Sequence, residues 1–280
     1  AEGTGLASFA EQYPDRFVDV GVSEEHAVTF AGGLAVEGKI PVAAIYSTFM
    51  QRSFDQIIHD LALQKLHVVL ALDRAGVVGP DGPTHHGVFD LAYLRMIPDI
   101  TAMAPKDGKE FEQMLHFSVN VHRGTIAIRY PRCSIPEPDM PFSPIQLGKP
   151  EVLLSSSQAM GTVIGIGSMV WSLYELIIKN DFPVNLVNAR FIKPLDLSDL
   201  SVTVKKQAFV MTVEEGVKQG GLFGAVSEWC AGNGLTVKLI GQGLNNEFFV
   251  PHGHREVLLK ENGLTTECLR EALEKELSLS

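Results

Sequence analysis

The sequence predicts an α/β protein built from two parallel-sheet domains with helices on both faces. Three observations predict it. Short apolar runs of strand length alternate with segments of helical spacing through most of the chain. A stretch from Pro131 to Pro150 holds six prolines and little periodicity, so it reads as a linker. The segment after it repeats the same alternation at smaller scale, and 280 residues suffice for two domains of ordinary size.

Taken in order, Asp15 to Val22 reads as a strand and Val28 to Ala35 as an amphipathic or buried helix. Pro41 to Tyr46 is an apolar strand. Ser53 to Leu63 has helical spacing, with Phe54, Ile57, Ile58 and Leu61 on one side. His67 to Leu72 is a strand, Phe89 to Tyr93 starts a short helix, and Ile100 to Ala104 is a strand. Lys109 to Val119 is helical and Thr125 to Tyr130 a strand. In the second half, Thr162 to Ile166, Val184 to Ala189, Phe209 to Val213 and Val237 to Ile240 are strands. Met169 to Lys179, Gly220 to Cys230 and Thr265 to Leu277 are helices. The expected division is a domain at 1–135, a linker at 136–150 and a second domain at 151–280.

Composition bounds the function. Hydrophobic content of 45% with 20% charged residues is that of a globular protein. The net charge of −10, with no basic stretch, argues against a nucleic-acid partner but not against a small anion held by local arginines. No apolar run approaches the ~20 residues that span a bilayer, and no secretory signal is visible, so no membrane partner is expected. Cys133, Cys230 and Cys268 are odd in number and far apart, which fits buried thiols in a reduced compartment.

The most informative stretch is Leu72 to Gly87. An apolar run feeds into a loop with four glycines, two prolines, two acids, an arginine and two histidines. Glycine admits a ligand close to the backbone and proline stiffens the path. Ligands of open α/β sheets bind in loops at the carboxyl ends of strands. Arg74, Asp81, His85 and His86 gathered there suit an anionic, hydroxylated substrate. The alternative is a surface turn with incidental polar residues.

Asp81-Gly82-Pro83-Thr84-His85 resembles the substrate loop of thiamine-diphosphate enzymes of the transketolase class. Asp73-Arg74-Ala75-Gly76 before it narrows the likeness to the 1-deoxy-D-xylulose-5-phosphate synthase family. Ser23-Glu24-Glu25-His26-Ala27-Val28-Thr29-Phe30 is similar to that family's catalytic-glutamate motif. Ile45-Tyr46-Ser47-Thr48-Phe49-Met50-Gln51-Arg52, with Asp55-Gln56, is similar to its cofactor-stacking segment. The likeness runs from about Glu2 to about Leu277. It implies a transketolase-like pyrimidine-binding domain followed by a transketolase-like C-terminal domain. It also implies that the N-terminal domain and the opening strand of the middle domain lie outside this chain, supplied in cis or as a separate chain.

The resemblance assigns roles. Glu24 matches the acid that favours the imino tautomer of the cofactor's aminopyrimidine, a role that suits a largely buried carboxyl. Otherwise Glu24 simply favours a helix N-terminus. Phe49 matches the residue that stacks on the pyrimidine and Tyr46 lies near the reacting carbon, though both also suit a strand-end core. Arg52 is placed to donate to a carboxylate, or to be a solvated helix-start arginine. Arg74 and Arg132 match the phosphate-binding pair, because guanidinium forks fit phosphate and stay charged. Cys133 follows Arg132 where relatives more often carry glycine. Asp81 and His85 match residues that contact substrate and shuttle protons, and His86 reads as an exposed neighbour. A metal site at the histidine pair lacks a third ligand at a fixed offset.

The family holds its diphosphate through Mg²⁺ on a Gly-Asp-Gly motif, which this sequence does not contain. Mg²⁺ is therefore expected on the absent N-terminal domain, and the isolated chain is expected to be inactive. Gly165-Ile166-Gly167 is a fragment of a dinucleotide pattern without its third glycine. The implied reaction decarboxylates pyruvate and joins the two-carbon unit to D-glyceraldehyde 3-phosphate, in a homodimer of bacterial cytoplasm or plastid. A transketolase or the β subunit of a 2-oxo acid dehydrogenase is the near alternative. A non-catalytic assembly module is the alternative of another class.

Overall fold

The computed structural model describes residues 2–134 and 142–279. Helices α1 (Ala7–Gln12) and α2 (Glu24–Val36) open the chain. Strand β1 (Val42–Tyr46) runs directly into α3 (Ser47–Met50) and α4 (Phe54–Gln56), which continues as a π-helical stretch over Ile57–Ala62. Then come β2 (Val69–Asp73), α5 (Asp90–Met96), β3 (Ile100–Met103), α6 (Gly108–His116) and β4 (Thr125–Arg129). The second half holds β5 (Glu151–Leu154), β6 (Gly161–Gly165), α7 (Met169–Asn180), β7 (Val184–Asn188) and β8 (Phe191–Lys193). It continues through α8 (Ser201–Val204), β9 (Phe209–Val217), α9 (Leu222–Gly232), β10 (Lys238–Leu244), α10 (Arg255–Glu261) and α11 (Thr266–Leu279).

Two five-stranded sheets result, in the orders β1-β2-β4-β3-β8 and β10-β9-β6-β7-β5. Each has four parallel strands and one antiparallel edge strand, β8 against β3 and β5 against β7. Strand β8 follows β7 in sequence yet completes the first sheet, pairing Met103 with Phe191. The two halves therefore share a sheet edge, which no local pattern of three residues announces.

Burial explains the parallel arrangement. Val69 to Asp73 and Thr125 to Arg129 are buried at every position. A strand can be so only if helices cover both faces, as βαβ crossovers provide. Each fully buried Val, Leu or Ile contributes about 1.5–3 kcal/mol. The core is continuous across the sheets: Leu72, Leu91 and Leu94 share one cluster with Ile166, Val210 and Leu222.

One expected element is absent. Asp15 to Val22 is not a strand but a 3₁₀ turn at Pro14–Arg16 followed by extended chain, with Val18 and Val22 exposed. Its apolar residues join neither sheet, although β1 leaves one edge of the first sheet open. Six elements went unanticipated: α1, α3, β5, β8, α8 and α10. Of the expected linker, residues 135–141 lie outside the described residues, while Ser143, though exposed, is tied down: its carbonyl accepts a 2.8 Å bond from Arg190 Nη2.

Register sets the stage for chemistry. Tyr46 pairs with Asp73, and Leu72 with Arg129. The carboxyl ends of β1, β2 and β4 thus lie side by side, where α/β proteins place ligands.

Candidate active site

Tyr46 ends β1, and α3 begins at the next residue, so Phe49 follows about one turn later. Their rings stack with centroids 5.5 Å apart and planes 13° apart. Arg74 leaves β2 with φ of 58°, a left-handed conformation that costs a non-glycine residue of order 1–3 kcal/mol. That turn lays its guanidinium over the Tyr46 ring, Cζ 3.7 Å from the centroid. Nη1 pairs with Asp73 Oδ2, and the Arg74 N–H donates to Asp73 Oδ1 at 2.7 Å. Nε of Arg74 is buried without a hydrogen-bond partner. Burial pushes the Asp73 carboxyl above the usual carboxylate range, against the pull of Arg74 and Arg132.

Glu24 stands in the first turn of α2 and is buried. Arg52 Nη1 donates to its Oε1 at 3.1 Å. The Arg52 guanidinium also lies 4.7 Å from the Phe49 centroid, so one cation touches both the carboxylate and the aromatic surface. The position at a helix N-terminus adds a favourable dipole for negative charge.

The loop after β2 reaches the same place. Thr48 Oγ1 donates to the Thr84 carbonyl at 3.0 Å. His85 packs edge-on to Phe49, centroids 5.2 Å apart. Glu24, Arg52, Phe49, Tyr46, Arg74 and His85 therefore form one chain of contacts. Asp81 and Arg132 do not join it directly; they pair with each other at 3.3 Å on the exposed side of the loop. An exposed pair of this kind is worth at most about 1 kcal/mol and yields readily to a competing anion.

His86 differs from its expected role. It is buried, not exposed. Its Nδ1 accepts from the Val78 N–H at 3.0 Å, which leaves the proton on Nε2 for the Pro251 carbonyl at 3.1 Å. Burial lowers its pKa, so the ring stays neutral and acts as a strut.

Asp90 and Arg129 escaped notice in the sequence. Arg129 Nε donates to Asp90 Oδ2 at 2.9 Å, and Ser47 Oγ donates to the same oxygen at 2.9 Å. The pair fixes the start of α3 and so the angle of Phe49. The available signal was an arginine ending an otherwise apolar strand, which burial obliges to find a carboxylate.

In chemical terms the site offers a partly exposed aromatic face, a buried carboxyl beside it, and a buried guanidinium with a spare donor. These suit one planar, nitrogenous ring system and an anionic or carbonyl group next to it. Among the described residues no group of three or more His, Cys, Asp or Glu is placed to hold a metal ion.

Comparison with known proteins agrees. The family described as "Transketolase, pyrimidine binding domain" matches residues 1–138, and "Transketolase, C-terminal domain" matches residues 151–269. The 1-deoxy-D-xylulose-5-phosphate synthase of Gloeobacter violaceus is 46% identical over 282 residues, covering 99% of this chain and 44% of its own length. That of Carboxydothermus hydrogenoformans is 46% identical over 281 residues, covering 98% and 44%. The chain thus spans under half the length of these curated relatives. Among solved structures, a split-gene transketolase described as an inactive β4 tetramer superposes with TM-score 0.86 at 27% identity, over all of this chain and 90% of that one. A Campylobacter jejuni transketolase, with TM-score 0.73 at 18% identity over 92% of this chain and 39% of its own, shares the fold. The chain belongs to the transketolase-like family and, within it, groups with the 1-deoxy-D-xylulose-5-phosphate synthases.

Proposed function

We propose that this chain supplies the pyrimidine-binding and C-terminal parts of an enzyme that decarboxylates pyruvate and joins the two-carbon unit to D-glyceraldehyde 3-phosphate. The observation that carries the reading is the contact chain Glu24–Arg52–Phe49–Tyr46–Arg74 at the carboxyl ends of β1 and β2. Thiamine diphosphate, when bound, supplies the carbon nucleophile and the electron sink for decarboxylation.

The chain's own residues do the rest. Phe49 offers an aromatic face worth roughly 0.5–1.5 kcal/mol beyond area burial. Glu24 exchanges a proton with a ring nitrogen, and Arg52 orients its carboxyl. Arg74 donates its spare Nε to the reacting acid or the phosphate. Arg132 gives up Asp81 to take the phosphate, which frees Asp81 for a substrate hydroxyl. His85 moves protons at the aldehyde carbonyl. The residues fit the ring half of the cofactor. Mg²⁺ and the diphosphate belong, in this reading, to a segment that matches the remaining length of the curated relatives, in cis or in a separate chain. By likeness to the split-gene transketolase, this chain without that segment is inactive.

A homodimer also fits. Phe30, Val36, Ile40 and Val42 are exposed along α2, the turn after it and the open edge strand β1, and a second copy would cover them. Among the described residues no helix is long and apolar enough to cross a membrane. The curated relatives are bacterial, which supports a cytoplasmic location.

The phosphate tests the map. In the assembled enzyme, Arg132→Ala should lower kcat/KM for D-glyceraldehyde 3-phosphate about ten- to a hundredfold, the loss expected from one charge-assisted bond of ~1.5–3 kcal/mol. Unphosphorylated D-glyceraldehyde should react at nearly unchanged efficiency. Equal losses toward both aldehydes would refute the phosphate role.

A further inference from the structure

The loop between β2 and α5 is held from outside its own half of the chain. At its base, Gly76 N–H donates to the Gly87 carbonyl at 2.6 Å and Gly87 N–H returns a bond to Gly76 at 2.9 Å. Next along the outgoing leg, both backbone polar groups of Val77 are taken by the second half. Glu215 Oε1 accepts from the Val77 N–H at 2.7 Å, and Arg255 Nε donates to the Val77 carbonyl at 3.0 Å. Glu215 Oε2 and Arg255 Nη2 close the square at 2.5 Å. The following residue, Val78, is held by His86, which in turn holds Pro251.

Glu215 is itself fixed. It lies in β9 with side-chain exposure of 3%, and its carbonyl accepts from Arg129 Nη2 at 3.1 Å. Two glycines show how close the approach is. A Cβ on Gly76 would stand 2.6 Å from the Glu215 carboxyl, and one on Gly79 would stand 2.9 Å from the Arg255 backbone nitrogen. Both glycines have positive φ, so a side chain there is also strained. Past these anchors only the tip, from Pro80 to His85, is left to carry Asp81 and His85.

We infer that Glu215 and Arg255 are positioning residues: they grip the Val77 peptide from the second half and thereby set where Asp81 and His85 stand for the acceptor aldehyde. The second sheet is thus part of substrate recognition without touching substrate. The inference rests on the reading that Asp81 and His85 serve the aldehyde. Recognition of the cofactor ring, by Glu24 and Phe49, lies outside the grip.

Arg255 is the residue to change, because its side chain is 29% exposed and its loss leaves water a route to Glu215. Amide hydrogen exchange of the full chain reads the grip without any catalysis. Removing charge-assisted bonds of this kind should speed exchange over residues 77–87 in Arg255→Gln by about ten- to a hundredfold. Exchange in β2 and α2 should stay unchanged. Gly79→Ala, which pushes the loop off α10 while leaving the ion pair intact, should loosen the same residues. Unaltered loop exchange in both folded variants would overturn the grip. In the assembled enzyme, Arg255→Gln should lower kcat/KM for the phosphorylated aldehyde about tenfold, with pyruvate KM unchanged, and Arg255→Lys should recover part of the loss. Faster loop exchange with an unchanged aldehyde kcat/KM would keep the grip and sink the aldehyde reading of Asp81 and His85.

Discussion

Lys106, Glu110, Glu151 and Arg190 form one buried charge cluster, and Glu24, Arg52, Asp73 and Arg74, joined through Tyr46 and Phe49, form another. In the first, each cation touches both carboxylates. Lys106 Nζ lies 3.3 Å from Glu110 and 3.0 Å from Glu151, while Arg190 reaches the same two at 2.7 and 2.8 Å. Phe142 closes it on one side, its ring centroid 5.7 Å from the Arg190 guanidinium. Every charge in the square has two opposite partners, Asp107 adds a third contact to Lys106 at 3.6 Å, and the whole ties α6 to β5 and to the approach of β8. The second cluster is open. Arg52 is half exposed, Arg74 keeps a donor without a partner, and aromatic faces separate its two ion pairs. A closed square holds architecture; an open chain of the same residue types keeps capacity for a ligand.

The comparison breaks most sharply at Glu24. In the assembled enzyme, Glu24→Ala should slow exchange of the bound cofactor's C2 proton by ~10²–10⁴, the usual worth of a positioned acid or base. Its effect on unfolding should be small, because Arg52 can be solvated. Exchange within about threefold of wild type would remove Glu24 from the chemistry and make both clusters structural.

Glu110→Ala tests the other side. It leaves Arg190 on Glu151 alone and Lys106 on Glu151 and the more distant Asp107 in a dry site, so stability should fall by about 3–5 kcal/mol. Denaturant midpoints measure this. Activity per folded molecule should stay within about twofold. A large activity loss in a stably folded variant would mean that the closed cluster reaches the site.

The strand-and-helix skeleton was legible because buried parallel strands are apolar end to end, as in Val69 to Leu72, and because glycine and proline mark the turns. The contact chain was legible in residue type but not in partners. Arg52 was placed to meet a carboxylate, and it meets Glu24. Arg74 was read as free for phosphate, whereas Asp73, its own neighbour, already holds it. What the sequence hid was mostly long-range. Glu214 and Glu215 look like a polar strand exit after Val213, yet both continue β9 fully buried, since their partners lie at Val77, Leu222, Phe223 and Arg255. Strand β8 was missed because three residues carry no period, and its pairing with β3 exists only once the halves are together. The expected strand at Asp15 to Val22 shows the converse: apolar alternation is there, but the segment pairs with no strand, and Val18 and Val22 stay exposed.

Glu214 is a third kind of buried charge, and it sharpens the comparison by pH. Among the described residues no cation pairs with it directly. Its Oε2 and Oε1 accept from the N–H groups of Leu222 and Phe223, at 2.7 and 2.8 Å, at the start of α9. Burial pushes its pKa from about 4.5 up to about 8, against those two bonds and the more distant Arg129 and Arg95. Between these values the folded protein holds a proton that the unfolded chain has released. The contribution to stability is therefore complete below about pH 4.5 and is lost as pH rises through about 8. The slope is at most about 1.4 kcal/mol per pH unit, or roughly 2–4 °C in Tm. Glu214→Gln keeps the shape and an acceptor but cannot ionise. Its Tm should fall less than that of the wild type between about pH 6 and about pH 8.5, so that the two curves converge or cross on the alkaline side. The closed cluster supplies the control, because Lys106 and Arg190 hold the Glu151 carboxyl below the usual range and its contribution is lost only in acid. Parallel Tm curves for wild type and Glu214→Gln across that window would show that Glu214 is ionised in the fold, held by the helix N-terminus alone.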